Sequence, residues 1–157
     1  MLPYETADFI NVSDFRGWGY KTMAEYLFVY GSLRSELVPS DLKGLVQQMR
    51  RIGPAYAHGH LYDLGEYSGA ILNADCDGQI IGEALELPDD NSVLAVLDHY
   101  EGFDGDNHDA CLFVRTKCHV ILQNGEEIEC WVYAYHGEIG SAKLIESGDY
   151  LGYRSHS

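Results

Sequence analysis

From Tyr26 to Tyr135 the chain breaks into short β-rich runs, each stopped by glycine, proline or a polar turn, a pattern that points to strands rather than a helical bundle. Tyr26–Tyr30 (YLFVY) is the first run, closed by Gly31-Ser32. Ala55–Leu64 and Gly69–Ala74 read as strands with Gly65 turning between them, and Ile80–Leu87 as another, stopped by Pro88. Ala110–Leu122 and Ile128–Tyr135 flank Asn124-Gly125, a dipeptide suited to a tight hairpin. Helical signals are fewer. Leu33–Arg51 carries start signals at Pro39, Ser40 and Asp41 and an apolar stripe of Leu42, Leu45, Val46 and Met49. Asp89-Asp90-Asn91-Ser92 offers N-caps to a second helix, in which Val93, Leu94, Leu97 and Tyr100 recur at helical spacing and Gly102 marks the end. A short helical piece is expected around Ala142–Glu146, before Gly148. Without regular βαβ alternation or internal repeats, these elements imply an α+β fold around a curled sheet or barrel.

A length of 157 residues, 46% of them apolar, suits one domain with a sizeable core. Residues 1–22 follow neither period and read as an N-terminal extension, with the domain running over residues 23–157. The formal net charge of −15 repels phosphate backbones and anionic lipid heads, so neither nucleic acid nor a membrane surface is an expected partner. The plain reading of the acidity is solubility. No apolar run reaches the roughly 18 residues of a membrane span. The first residues carry acids where a signal peptide needs basic and apolar stretches. Cys76, Cys111, Cys118 and Cys130 show no C-x-x-C pairing and sit in strand-like segments, so reduced thiols and a cytoplasmic location are expected.

Two places could carry chemistry. At Tyr30-Gly31-Ser32-Leu33 a strand ends in glycine and turns outward, which presents successive backbone N–H groups to a carboxylate or oxyanion. Most such turns are only turns. Glu101, in LDHYEGFD, falls in the last turn of the second helix. The negative helix end and burial beside Tyr100 and Phe103 would each raise its pKa, and an acid tuned towards neutrality can both take and give a proton. A solvated acid at a helix end is the commoner case. Other constellations are weaker. The acidic run Asp104–Asp109 lacks the twelfth-position acid of a calcium loop, which here is Arg115. His58 and His60 find no third ligand nearby, so no metal is expected. Ser32 lacks the G-x-S-x-G setting of a nucleophile, and Glu83 and Glu86, three apart on one strand, cannot both face one pocket.

In order along residues 26–152, FVYGSLR, LYDLGEYSGA, IIGEALEL, LDHYEGFD, FVRTKCHV, ECWVYAY and KLIESGDYLGYR resemble the gamma-glutamylcyclotransferase-like proteins of the avirulence-induced-gene type, in their small bacterial branch. The resemblance implies a small mixed β-barrel with flanking helices. Its pocket would be formed by Tyr30, Gly31, Ser32 and Leu33, with Glu101 as the catalytic acid. Tyr133 either adds a hydroxyl to that pocket or belongs to the core, and the core reading is slightly favoured. The implied activity is a cyclotransferase reaction in which the alpha-amine of a small gamma-glutamyl amino acid or amine attacks its own gamma-carbonyl, giving 5-oxoproline without metal or cofactor. One departure stands out: Phe113 occupies a position where relatives often carry tyrosine. The alternative is a non-catalytic module that binds a small anion in the same pocket, and a protein adaptor ranks last. A homodimer is left open.

Overall fold

The computed structural model describes residues 24–31, 33–34, 38–89 and 92–155. The N-terminal extension, Ser32 and the caps Asp90 and Asn91 lie outside the described residues.

The elements in chain order are β1 (Tyr26–Val29), a 3-10 turn at Ser40–Leu42, α1 (Lys43–Val46), β2 (Arg50–Asp63), β3 (Ser68–Leu72) and β4 (Gln79–Glu86). Then come α2 (Ser92–Glu101), β5 (Phe113–Leu122), β6 (Glu127–Tyr135), β7 (Lys143–Ile145) and α3 (Tyr150–Ser155). Five strands close a barrel in the order β2, β4, β1, β6, β5, with β5 returning to β2 through Ala55–Leu122 and Tyr56–Ile121. Every pair in the barrel is antiparallel except β1 and β6, which run parallel. Beyond the barrel, the far end of β2 pairs with β3 on one side and β7 on the other.

Closure explains the sequence pattern. Side chains along a strand alternate between faces, so one set fills the barrel and the other needs its own cover. Phe28, Ala57, Ile80, Ala84, Val120, Cys130 and Val132 fill the interior. Leu27, Val29 and Leu85 face outward, where Val93, Leu94 and Leu97 of α2 cover them with Leu42 and Met49. β1 is therefore buried on both faces, and that is why YLFVY is an unbroken apolar run.

Two expectations need correction. The helix read over Leu33–Arg51 is limited to the 3-10 turn and α1, and Arg50 and Arg51 already belong to β2. Leu42 and Met49 are buried as predicted, but β2 must begin at Arg50 to pair with Glu86 at the end of β4. The tail around Ala142–Glu146 forms β7, not a helix, because Leu144 and Ile145 pair with the exposed edge of β2. The helix of the tail comes later, at Tyr150–Ser155. Of the remaining boundaries, β2 begins at Arg50, five residues before the expected Ala55, and Ala110 lies in a 3-10 turn ahead of β5. Among the described residues no helix is long and apolar enough to cross a membrane.

Candidate active site

The parallel pairing of β1 and β6 brings their carboxyl ends to the same end of the barrel, and antiparallel β5 begins there. A cavity of about 320 Å³ opens at that end. Tyr30, Gly31 and Leu33 from the turn after β1 form one wall, and Glu101 from the end of α2 lines the same space. Tyr133 of β6 and Phe113 of β5 add to the inner surface. The turn and the acid that the sequence singled out thus share one hollow. Gly31 closes its turn by accepting a hydrogen bond from the Arg34 N–H at 3.0 Å, and the Arg34 guanidinium donates to Asp149 at 2.8 Å.

Glu101 owes its position to the way α2 ends. Phe103 N–H donates to the Asp98 carbonyl at 2.8 Å and Gly102 N–H to the His99 carbonyl at 3.2 Å, the paired closure that glycine at φ 73° permits. The Asp98 carboxylate, one turn earlier, accepts two hydrogen bonds from Arg115 of β5, at 2.7 and 3.1 Å, and one from the Tyr133 hydroxyl at 2.7 Å. Arg115 also lies over the Trp131 ring, 4.4 Å from its centroid. A bidentate, half-buried pair of this kind fixes geometry as well as charge. It clamps the last turn of α2 to the barrel, and Glu101, three residues on, projects from the same side.

Burial pushes the Glu101 carboxyl up from 4.5 to about 7. Burial is one of the two causes that the sequence predicts for this rise. Its negative charge is also felt by Tyr30, whose hydroxyl is held above its ordinary pKa, first by burial and then by Glu101.

The two tyrosines act as walls. The Tyr30 hydroxyl donates to the Tyr133 carbonyl at 2.7 Å and accepts from the Ala70 N–H at 3.3 Å, bracing β1 against β6 and β3. The Tyr133 hydroxyl is engaged with Asp98, and burial followed by that hydrogen bond raises its pKa. Tyr30→Phe would leave a buried carbonyl and a buried N–H without partners, so it is expected to cost about 2 kcal/mol. The midpoint of thermal unfolding should fall by about 4–8 °C, as circular dichroism would record.

Glu83 and Glu86 do not line the cavity: Arg51 pairs with Glu83 at 3.2 Å and Arg50 donates to Glu86 at 2.7 Å. The acidic run Asp104–Asp109 is exposed, and among the described residues no group of three or more His, Cys, Asp or Glu side chains could hold a metal. Asp98, Tyr67 and Ser68 are among the residues at the site that escaped the sequence reading. Asp98 could have been found from its spacing of three before Glu101 on one helix. Tyr67 and Ser68, from the motif LYDLGEYSGA, also line the cavity, and only the fold brings them there.

Residues 27–152 match the family described as gamma-glutamyl cyclotransferase, AIG2-like. The chain is 31% identical over 125 residues to the gamma-glutamylcyclotransferase family protein YtfP of Escherichia coli, an alignment covering 80% of this chain and 95% of that one. The solution structure of the Escherichia coli protein superposes with a TM-score of 0.53 at 29% identity, covering 82% of this chain and 98% of that one. An AIG2-like protein from Mus musculus superposes with a TM-score of 0.61 at 22% identity, over 82% of this chain and 90% of the mouse chain. The protein belongs to the gamma-glutamyl cyclotransferase, AIG2-like family, and its barrel is the fold of that family.

Proposed function

We propose that the protein is a gamma-glutamyl cyclotransferase that converts a small gamma-glutamyl amino acid or amine to 5-oxoproline. The observation that carries this reading is the half-buried Glu101 carboxyl, pushed up to about 7, in one cavity with Gly31 and Leu33. In the reaction the alpha-amine nitrogen bonds to the gamma-carbonyl carbon, and the carbon–nitrogen bond to the leaving amine breaks. No water enters, and one proton passes from the attacking to the departing nitrogen. A single carboxylate suffices for that transfer, and its presence in the cavity supports Glu101 in that role. Because attack is intramolecular, the remaining task is to hold the glutamyl chain in a ring-closing pose, for which the walls of Tyr30, Leu33 and Phe113 are suited. Tyr67, Tyr100 and Leu112, each more than a third exposed, border the mouth and favour an apolar leaving group. The reaction needs no cofactor.

The test is incubation of the purified protein with gamma-glutamyl amino acids and amines, followed by mass spectrometry for 5-oxoproline. Turnover should rise with pH to a plateau, with a midpoint near 7, because Glu101 must be ionised to accept the proton. A ligand that stabilises the protein and is recovered intact would favour the binding-module reading instead.

A further inference from the structure

Ser68 opens β3, is 4% exposed and lines the cavity. Its hydroxyl oxygen is buried and has no hydrogen-bond partner among the described residues. The same oxygen lies 3.0 Å from where a Cβ on Gly31 would stand, so it packs directly against the turn after β1. A buried hydroxyl without a partner is destabilising, and alanine would fill nearly the same space without that cost. Packing therefore gives no reason for serine here.

The neighbouring side chains sharpen the point. The Tyr30 and Tyr133 hydroxyls are both engaged by the protein. No Lys or Arg is among the described residues lining the cavity, and Glu101 would repel an anion. A carboxylate bound here must therefore be held by neutral donors on the wall of the turn. Ser68 supplies one that is already desolvated and aimed at nothing else.

We propose that Ser68 is a substrate-binding residue whose hydroxyl donates a hydrogen bond to the alpha-carboxylate of the gamma-glutamyl group, beside the Gly31 turn. The identity of that group rests on the cyclotransferase reading. The carboxylate is fully charged before and after ring closure, so the contact helps binding equally throughout and acts on KM rather than kcat.

The probes are 5-oxoproline, which keeps the carboxylate, and its carboxamide, which lacks the charge. Ser68→Ala is expected to weaken 5-oxoproline binding about tenfold or more by calorimetry, as loss of a hydrogen bond to a charged group does. Binding of the carboxamide should stay within about twofold, and the thermal midpoint of the free variant should equal or exceed that of the parent. Equal losses for acid and amide with a lowered midpoint would mean a structural role and overturn the assignment. So would unchanged 5-oxoproline binding, a parent protein that does not bind 5-oxoproline, or a kcat that falls while KM holds. If the parent turns over no gamma-glutamyl compound yet Ser68→Ala still loses its preference for the acid, the reaction falls and the carboxylate site stands.

Discussion

Glu101→Gln is expected to leave the protein without turnover and, above neutral pH, more stable than the parent. Both effects follow from one property, the burial that lifts the carboxyl from 4.5 to about 7. Below pH 4.5 the group is protonated whether the chain is folded or not, so its ionisation does not bear on stability. As pH rises towards 7 the unfolded chain releases the proton while the folded chain keeps it, and the preference for the folded state erodes. Above the folded value the buried charge is carried in full. The shift corresponds to about 3 kcal/mol, and access of water through the mouth brings the expected penalty to about 2 kcal/mol. Glutamine keeps the shape and never ionises. Its advantage should be absent at about pH 4 and reach about 4–8 °C in the unfolding midpoint at about pH 8. Turnover should drop by about 10²–10⁴-fold, the usual contribution of a positioned acid–base group. A difference that does not change with pH would show that the carboxyl is not desolvated. Turnover that survives would remove Glu101 from the reaction.

That an acid at the end of α2 could be read from the sequence while part of its setting could not has a physical explanation. Glu101 lies just before a glycine that ends a helix, and both features are local: apolar spacing in α2 and the left-handed backbone at Gly102. The strands were legible for the same reason, since burial of both faces of β1 leaves an unbroken apolar run. Where non-local pairing decides, local pattern fails. The stripe of Leu42, Leu45, Val46 and Met49 has helical spacing, yet the chain leaves the helix after Val46 because β2 must reach Glu86. Pro54 and a bulge between Arg51 and Gly53 hid the start of that strand. β7 is three residues long, too short to show alternation, and exists because β2 offers it an edge. Ser68 is the sharpest case. A serine before glycine in a loop-like segment is ordinary in sequence, and becomes informative only when the fold buries its hydroxyl against Gly31 without a partner.

Gly82→Ala is expected to damage both fold and site, through space alone. Gly82 sits in the middle of β4, opposite Ala55 of β2, and a Cβ there would stand 2.2 Å from the Val29 carbonyl oxygen and 2.8 Å from the Phe28 ring. A ring at the end of a side chain can yield, but a carbonyl in a strand paired on both sides cannot. Val29 is the last residue of β1, and any retreat of its carbonyl carries Tyr30 and Gly31 with it. Overpacking against backbone is expected to cost about 3 kcal/mol, which lowers the unfolding midpoint by about 6–12 °C. Displacement of the turn by about 1 Å would reduce turnover by about 10²-fold even in the fraction that folds. Gly44→Ala is the matched control. A Cβ at Gly44 meets nothing within 4 Å, and the site lies in α1, where alanine is the better helix former by about 1 kcal/mol. That variant should be as stable as the parent or slightly more so, with unchanged turnover. A Gly82→Ala protein that melts and turns over like the Gly44 control would mean that β1 is free to move, and the turn that floors the cavity would then have no fixed position.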